Sequence, residues 1–188
     1  GPVVAAACVI SQSADLSAGA LASINDSKQV GEAERERVYE ALLGCEGVAV
    51  STFAVDHTLI DKLNILQATM VAMEGAVRGL PVAASWALVD GNRVPEGLQG
   101  MAEAVVKGDA SCTAIAAASI CAKVTRDREM AAAHERWPQY GFDRHKGYGT
   151  AAHVEALRRH GPCPIHRRSF EPVKSMVAAE GEEGGTQG

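Results

Sequence analysis

The 188-residue chain carries 18 Lys and Arg against 23 Asp and Glu, a formal net charge of −5, with 47 % hydrophobic and 22 % charged residues. That balance belongs to an ordinary globular protein, and a chain of this length buries a sizeable core without disulfide or metal staples. No apolar run approaches the roughly 20 residues of a membrane-spanning helix, and no charged segment leads into a long apolar one as in a signal peptide, so a membrane protein is excluded and a cytoplasmic setting is expected.

Val3–Ile10 (VVAAACVI) is short, apolar and bounded by Gly1-Pro2 and a Ser/Asp-rich stretch, which predicts a buried strand. Asn25-Asp26-Ser27 reads as a turn or cap, and Glu32–Leu43 as a helix with Val38, Leu42 and Leu43 on one side. Val48–Val55 alternates and is rich in β-formers, predicting a second strand. Asn64–Leu80 has helical spacing, with its methionines as core filler. Ala83–Val89 predicts a strand ending on Asp90-Gly91, and Ala104–Val106 a shorter one ending at Lys107-Gly108-Asp109. Ala114–Glu135 and Ala151–His160 read as helices, the latter stopped by Gly161-Pro162. Residues 175–188 lack apolar periodicity and read as a disordered, acidic, Gly-rich tail. Interleaved strands and helices predict an α/β domain, a mixed sheet covered by helices.

The five cysteines are odd in number and include no C-x-x-C pair, so they read as incidental thiols in a reducing compartment. No Cys and His pairs have the short spacing of a zinc site. Charge is unevenly distributed: residues 1–122 carry a net −7, residues 123–168 a net +5 with five of the six histidines, and residues 169–188 a net −3. A basic C-terminal third suits a phosphate-backbone ligand, or else a solvated face of surface ion pairs.

Asp90 and Asp109 each end a predicted strand. Carboxylates there project into the crevice where open α/β sheets hold ligands, and two from neighbouring strands can share Mg2+, which takes one or two carboxylates and fills its other positions with water and phosphate oxygens. The same acids also read as plain turn residues. In AAASICAKVTRD (116–127) the helix begins with small residues, and Lys123, Arg126 and Arg128 emerge at its far end, where ion pairing with Asp127 and Glu129 is expected. Tyr140–Thr150 combines Gly, basic residues and aromatics; Arg144 and Lys146 supply charge, and Tyr148 can stack on a sugar or base. The arginines of HRRSF (166–170) suit phosphate contacts or a structural clasp.

The ordered set NDSK (25–28), DKLNILQATMVAM (61–73), VDGN (89–92), KGD (107–109), AAASICAKVTRD, YGFDRHKGYGT (140–150) and HRRSF followed by PVK (172–174) resembles the ribonuclease HII (type 2 ribonuclease H) family over residues 1–174. The resemblance implies an RNase H-like fold over one domain. It implies cleavage of the RNA strand of RNA–DNA hybrids and incision 5′ of ribonucleotides embedded in duplex DNA, with Mg2+ or Mn2+ as cofactor, by a monomer. In the family four acids hold two metal ions about 4 Å apart around the scissile phosphate. Asp90 and Asp109 match two of them. Tyr148 matches the tyrosine that stacks on the ribose at the junction, Asn25, Ser27 and Lys28 a phosphate-contacting loop, and Lys107 and Lys123 basic or structural positions at the substrate.

The family's other two acids lie in a first-strand D-E-A-G-R-G segment that does not occur in these 188 residues, which contain no Asp-Glu pair at all. The expectation is a fold lacking its first strand and a chain inactive by itself. The competing reading is a catalytically incomplete protein that binds RNA–DNA hybrids without cutting. A small-molecule phosphotransferase finds no G-x-x-x-x-G-K-[ST] loop.

Overall fold

The computed structural model describes residues 1–17, 19–26 and 31–183. Strands β1 (Val3–Ile10) and β2 (Val48–Val55) occupy their predicted spans and pair with one another. Between them runs helix α1 (Glu32–Gly44), which buries Val38 and Leu42 and places Glu32 and Glu34 at the positive end of its dipole. Helix α2 (His57–Leu63) was not foreseen by the hydrophobic pattern; Asp56 caps it by accepting from the Leu59 N–H at 2.8 Å. Asn64, at φ 71°, ends α2, and its side chain accepts from the Gln67 N–H at 3.1 Å at the start of α3 (Ile65–Arg78). One polar residue thus closes one helix and opens the next.

Strands β3 (Ala87–Asp90) and β4 (Ala102–Val105) are parallel, with Ala87 opposite Ala102 and Asp90 opposite Val105. The predicted strand from Ala83 therefore begins at Ala87, because its partner is only four residues long. Long helix α4 (Thr113–Arg136) follows, then α5 (Phe142–His145) and α6 (Ala151–His160); Thr150 caps α6 through the His153 N–H at 3.2 Å. The expected disordered tail is corrected over most of its length: α7 (Val173–Glu183) occupies it. Val173 is buried, and Met176 and Val177 pack on the cluster around Met130 and Phe142, so tertiary contact orders a segment whose own periodicity is weak.

Among the described residues the strands form two two-stranded sheets rather than one mixed sheet. The chain divides into two compact units, one of residues 4–55 and 69–125 and the other of residues 1–3, 56–68 and 126–188. The first is centred on Ile24, Val38, Leu42, Ala116, Ile120 and Cys121. The second is centred on Met130, Tyr140, Phe142 and Leu157. All five cysteines are free thiols. No helix among the described residues is long and apolar enough to cross a membrane.

Candidate active site

The first unit presents the two predicted acids at the C-terminal ends of its parallel strands. Asp90 is the last residue of β3, and the ladder continues one step further through the Gly91 N–H to the Val105 carbonyl at 3.0 Å. Beyond β4 the chain turns sharply at Lys107, whose φ of 56° lies in the left-handed region that costs an L-residue about 1–2 kcal/mol. The tight turn Gly108–Ala110 follows, and the Cys112 N–H bonds back to the Gly108 carbonyl at 2.8 Å as α4 begins. The Gly108 N–H donates to Asp90 Oδ1 at 2.8 Å. Gly108 is buried, and a Cβ there would stand 3.3 Å from Val105 Cβ and 3.4 Å from Asp90 Oδ1, so glycine permits the close approach. Asp109 is the next residue, half-buried, while Asp90 is exposed.

Asp90 also lies on the wall of a groove of about 420 Å³ in the same unit. Ala5 and Ala7 of β1, Met73, Leu88 of β3, Ile115 and Ala118 give it an apolar lining.

The second unit builds the loop that carries Tyr148. Left-handed turns at Gly141, Lys146 and Gly147 shape it, and the Lys146 ammonium donates to the Asp143 carbonyl at 2.7 Å. Tyr148 is 58 % exposed, with the Arg126 guanidinium 5.2 Å from its ring centroid, within cation–π range. Three histidines brace this loop. His145 Nε2 lies 2.7 Å from the Tyr140 carbonyl, and its Nδ1 accepts from the Gly147 N–H at 3.2 Å. His153 stacks on His145 with centroids 4.5 Å apart, and its Nδ1 lies 2.9 Å from the Tyr148 carbonyl. His153 Nε2 meets His166 Nε2 at 3.0 Å, both residues being buried. Burial lowers the His153 pKa and pushes that of His166 down to about 4.

The HRRSF segment is held by main-chain contacts. Arg167 donates from Nε to the Gly1 carbonyl at 2.9 Å and from Nη2 to the Pro2 carbonyl at 3.1 Å. Asp61 accepts from the Arg168 N–H, the Ser169 N–H and the Ser169 hydroxyl. Its partial burial raises the carboxyl pKa, but these donors hold the net value below the usual carboxylate range. Of the two readings of these arginines, Arg167 takes the clasp, made to carbonyls rather than to carboxylates.

The ribonuclease HII family model matches residues 1–173. The ribonuclease HII of Xylella fastidiosa (strain M12) is 51 % identical over 177 residues, covering 94 % of this chain and 74 % of that protein. The ribonuclease HII of Xanthomonas campestris pv. campestris (strain 8004) is 48 % identical over 180 residues, with 96 % and 73 % covered. The chain belongs to the ribonuclease HII family. In fold it is similar to the ribonuclease H2 of Pyrococcus horikoshii OT3, at TM-score 0.73 and 22 % identity over 95 % of this chain and 93 % of that one. It is also similar to the RNase HII in the PCNA:RNase HII complex from Archaeoglobus fulgidus, at TM-score 0.68 and 22 % identity over 94 % and 89 %. The fold is thus the RNase H-like α/β fold, and this ribonuclease HII chain is of an endonuclease class.

Of the residues matched to the family motifs, Asp90, Lys107 and Asp109 come together at the β3–β4 end. Lys123 is half-buried on α4, and Asn25 belongs to the 3-10 helix Gly19–Asp26. Ser27 and Lys28 lie outside the described residues. Tyr148 belongs to the other compact unit. The Asp90 carboxylate, bonded through Oδ1 to the Gly108 N–H, and Asp109 on the residue that follows Gly108 offer oxygen donors of the kind a hard dication takes. Among the described residues no three His, Cys, Asp or Glu side chains gather into a fuller metal site. Sequence reading passed over the histidine brace and Asp61. His153 and His166 are thirteen residues apart, a separation that carries no local signal.

Proposed function

We propose that this chain belongs to an endonuclease that hydrolyses the RNA strand of RNA–DNA hybrids and incises 5′ of ribonucleotides embedded in duplex DNA. Its Asp90 and Asp109 supply two of the four carboxylates of a two-cation centre, and it works as a monomer on nucleic acid. The observation that carries the reading is the Gly108 N–H bond to Asp90, which ties the end of β3 to the turn bearing Asp109. Bound there, Mg2+ or Mn2+ would lower the pKa of the attacking water and neutralise charge on the leaving 3′-oxygen.

The chain's own residues do the rest. Asp90 and Asp109 fix where the cations sit. Asn25 and Ser27 offer hydrogen bonds to backbone phosphates, and Lys28, Lys107 and Lys123 supply positive charge, a contribution that weakens as salt rises. Tyr148, exposed on its braced loop, stacks on the ribose next to the junction. The apolar groove lined by β1 and β3, with Asp90 on its wall, is where a strand bearing the family's D-E-A-G-R-G would be accommodated.

The test is incision of a duplex holding one ribonucleotide, in Mg2+ or Mn2+, by the 188-residue chain and by the same chain preceded by a D-E-A-G-R-G strand. The longer form nicks the 5′ side of the ribonucleotide and stops when EDTA removes the cation, while the 188 residues alone do not turn over. Rapid nicking by the shorter chain overturns the four-carboxylate account. Salt-sensitive hybrid binding with no incision by either form would establish the non-cutting reading instead.

A further inference from the structure

The second unit holds a buried polar arrangement that phosphodiester hydrolysis does not call on. The Cys163 N–H donates to His166 Nδ1 at 2.9 Å, and the Cys163 carbonyl, 3.3 Å from that nitrogen, already accepts the His166 main-chain N–H at 3.0 Å. His166 Nδ1 is therefore bare, and its ring proton sits on Nε2. The Tyr148 carbonyl can only accept, so His153 carries its proton on Nδ1 and presents a bare Nε2. The two Nε2 atoms, 3.0 Å apart, then match one donor to one acceptor. The result is a single directed chain from the Cys163 amide through His166 and His153 to the Tyr148 carbonyl. A second proton on either ring sets two N–H groups against each other.

We propose that this histidine pair positions Tyr148 and so sets how sharply the site distinguishes a ribonucleotide; the proposal rests on the reading of Tyr148 as the ribose-facing residue. Tyr148 is 58 % exposed, with the Arg126 guanidinium 5.2 Å from its ring centroid, so its main chain contributes to how it is held. Its main chain is held on both sides: the N–H donates to the His145 carbonyl at 2.9 Å, and the carbonyl accepts from the Thr150 N–H at 2.8 Å and from His153. Fixing both peptide planes fixes the Cα–Cβ direction, the root from which the ring extends. His153 and His166 are only 5 % and 6 % exposed, walled by the rings of Tyr140 and Phe142. A buried polar pair seldom stabilises more than apolar residues of the same volume, but it specifies one geometry. His153 and His166 are positioning residues here, since neither touches substrate.

Two substitutions of equal polarity separate positioning from folding. In His153→Asn the amide nitrogen falls near the δ position and still reaches the Tyr148 carbonyl; in His153→Gln it falls near the ε position and does not. On the 188-residue chain, nitrogen NMR should show ring protons on His166 Nε2 and His153 Nδ1, with a coupling across the Nε2 pair. On the form bearing the D-E-A-G-R-G strand, the readout is the ratio of kcat/KM for an embedded ribonucleotide to that for a continuous hybrid. His153→Gln and Tyr148→Ala each lower the ratio roughly tenfold, about one stacking contact, and His153→Asn retains it. Equal ratios for the Asn and Gln forms, or the opposite tautomers, overturn the proposal while leaving Tyr148 its role. An unchanged ratio in Tyr148→Ala removes the reading of Tyr148 itself, and the positioning role with it.

Discussion

Gly108 gives its main-chain N–H to Asp90 Oδ1 at 2.8 Å, joining the last residue of one parallel strand to the turn that follows the next. The bond requires an acceptor at that oxygen but not a charge. It follows that Asp90→Asn keeps the fold, with stability changed by less than about 1 kcal/mol, because the amide oxygen still accepts from Gly108. Cation-dependent turnover is lost in the form bearing the D-E-A-G-R-G strand while duplex affinity persists. Thermal melts, incision assays and binding measured side by side check this; a fall in affinity as large as the fall in rate would contradict a metal-holding role.

Arg167 holds the Gly1 and Pro2 carbonyls through two guanidinium nitrogens. Arg167→Ala leaves the half-buried Gly1 carbonyl without its side-chain donor and the Pro2 carbonyl with only the 3.4 Å bond from Arg126 Nε, and lowers stability by about 1–3 kcal/mol. Arg167→Lys recovers only part of it, since an ammonium lacks the planar fork. The slope of hybrid affinity against salt stays as in the parent chain; a flatter slope with unchanged melting would make Arg167 a phosphate contact instead.

Asp61 gathers three donors from Arg168 and Ser169. Asp61→Ala returns these exposed donors to water and is expected to destabilise by about 1 kcal/mol, with faster hydrogen exchange of the Arg168 and Ser169 amides. Exchange unchanged at both would show that the segment holds itself.

The histidine pair makes stability depend on acid. Burial pushes the His166 pKa from 6.5 down to about 4 and lowers that of His153; His145, stacked on His153, and His57, facing His166, act in the same direction. Between about pH 6.5 and 4 the unfolded chain therefore binds protons that the folded chain refuses. This contribution is fully present above pH 6.5 and is lost as the pH falls towards 4. Melting temperatures of the parent chain should drop across that window, and those of a His153→Leu, His166→Leu form should drop less. Parallel curves for the two proteins would place the acid sensitivity elsewhere.

Much of the fold was legible because local pattern sufficed. β1 and β2 are short runs of β-forming residues and end where the turn residues begin; Thr150 and Gly161 bound α6. The misreadings share one cause, dependence on distant partners. β3 starts at Ala87 because β4 offers partners only from Ala102, and α7 forms where Val173, Met176 and Val177 find the cluster around Met130. The start of α3 at Asn64 was legible, whereas α2 before it is only seven residues long and too short to show an apolar period. In the site, Asp90 and Asp109 stood out through strand-end placement and motif. Neither the Gly108 amide nor the pairing of His153 with His166 leaves a mark in sequence, since main-chain donors are invisible there and thirteen residues separate the two rings.

Mn2+ titration of the isotopically labelled 188-residue chain, followed by paramagnetic broadening of its amides, tests most directly whether Asp90 and Asp109 hold one cation. The amides of Asp90, Gly91, Gly108 and Asp109 should broaden first and together, and Asp90→Asn or Asp109→Asn should abolish the effect at all four. Broadening centred on other acids, or confined to one of the two, would contradict a shared cation site.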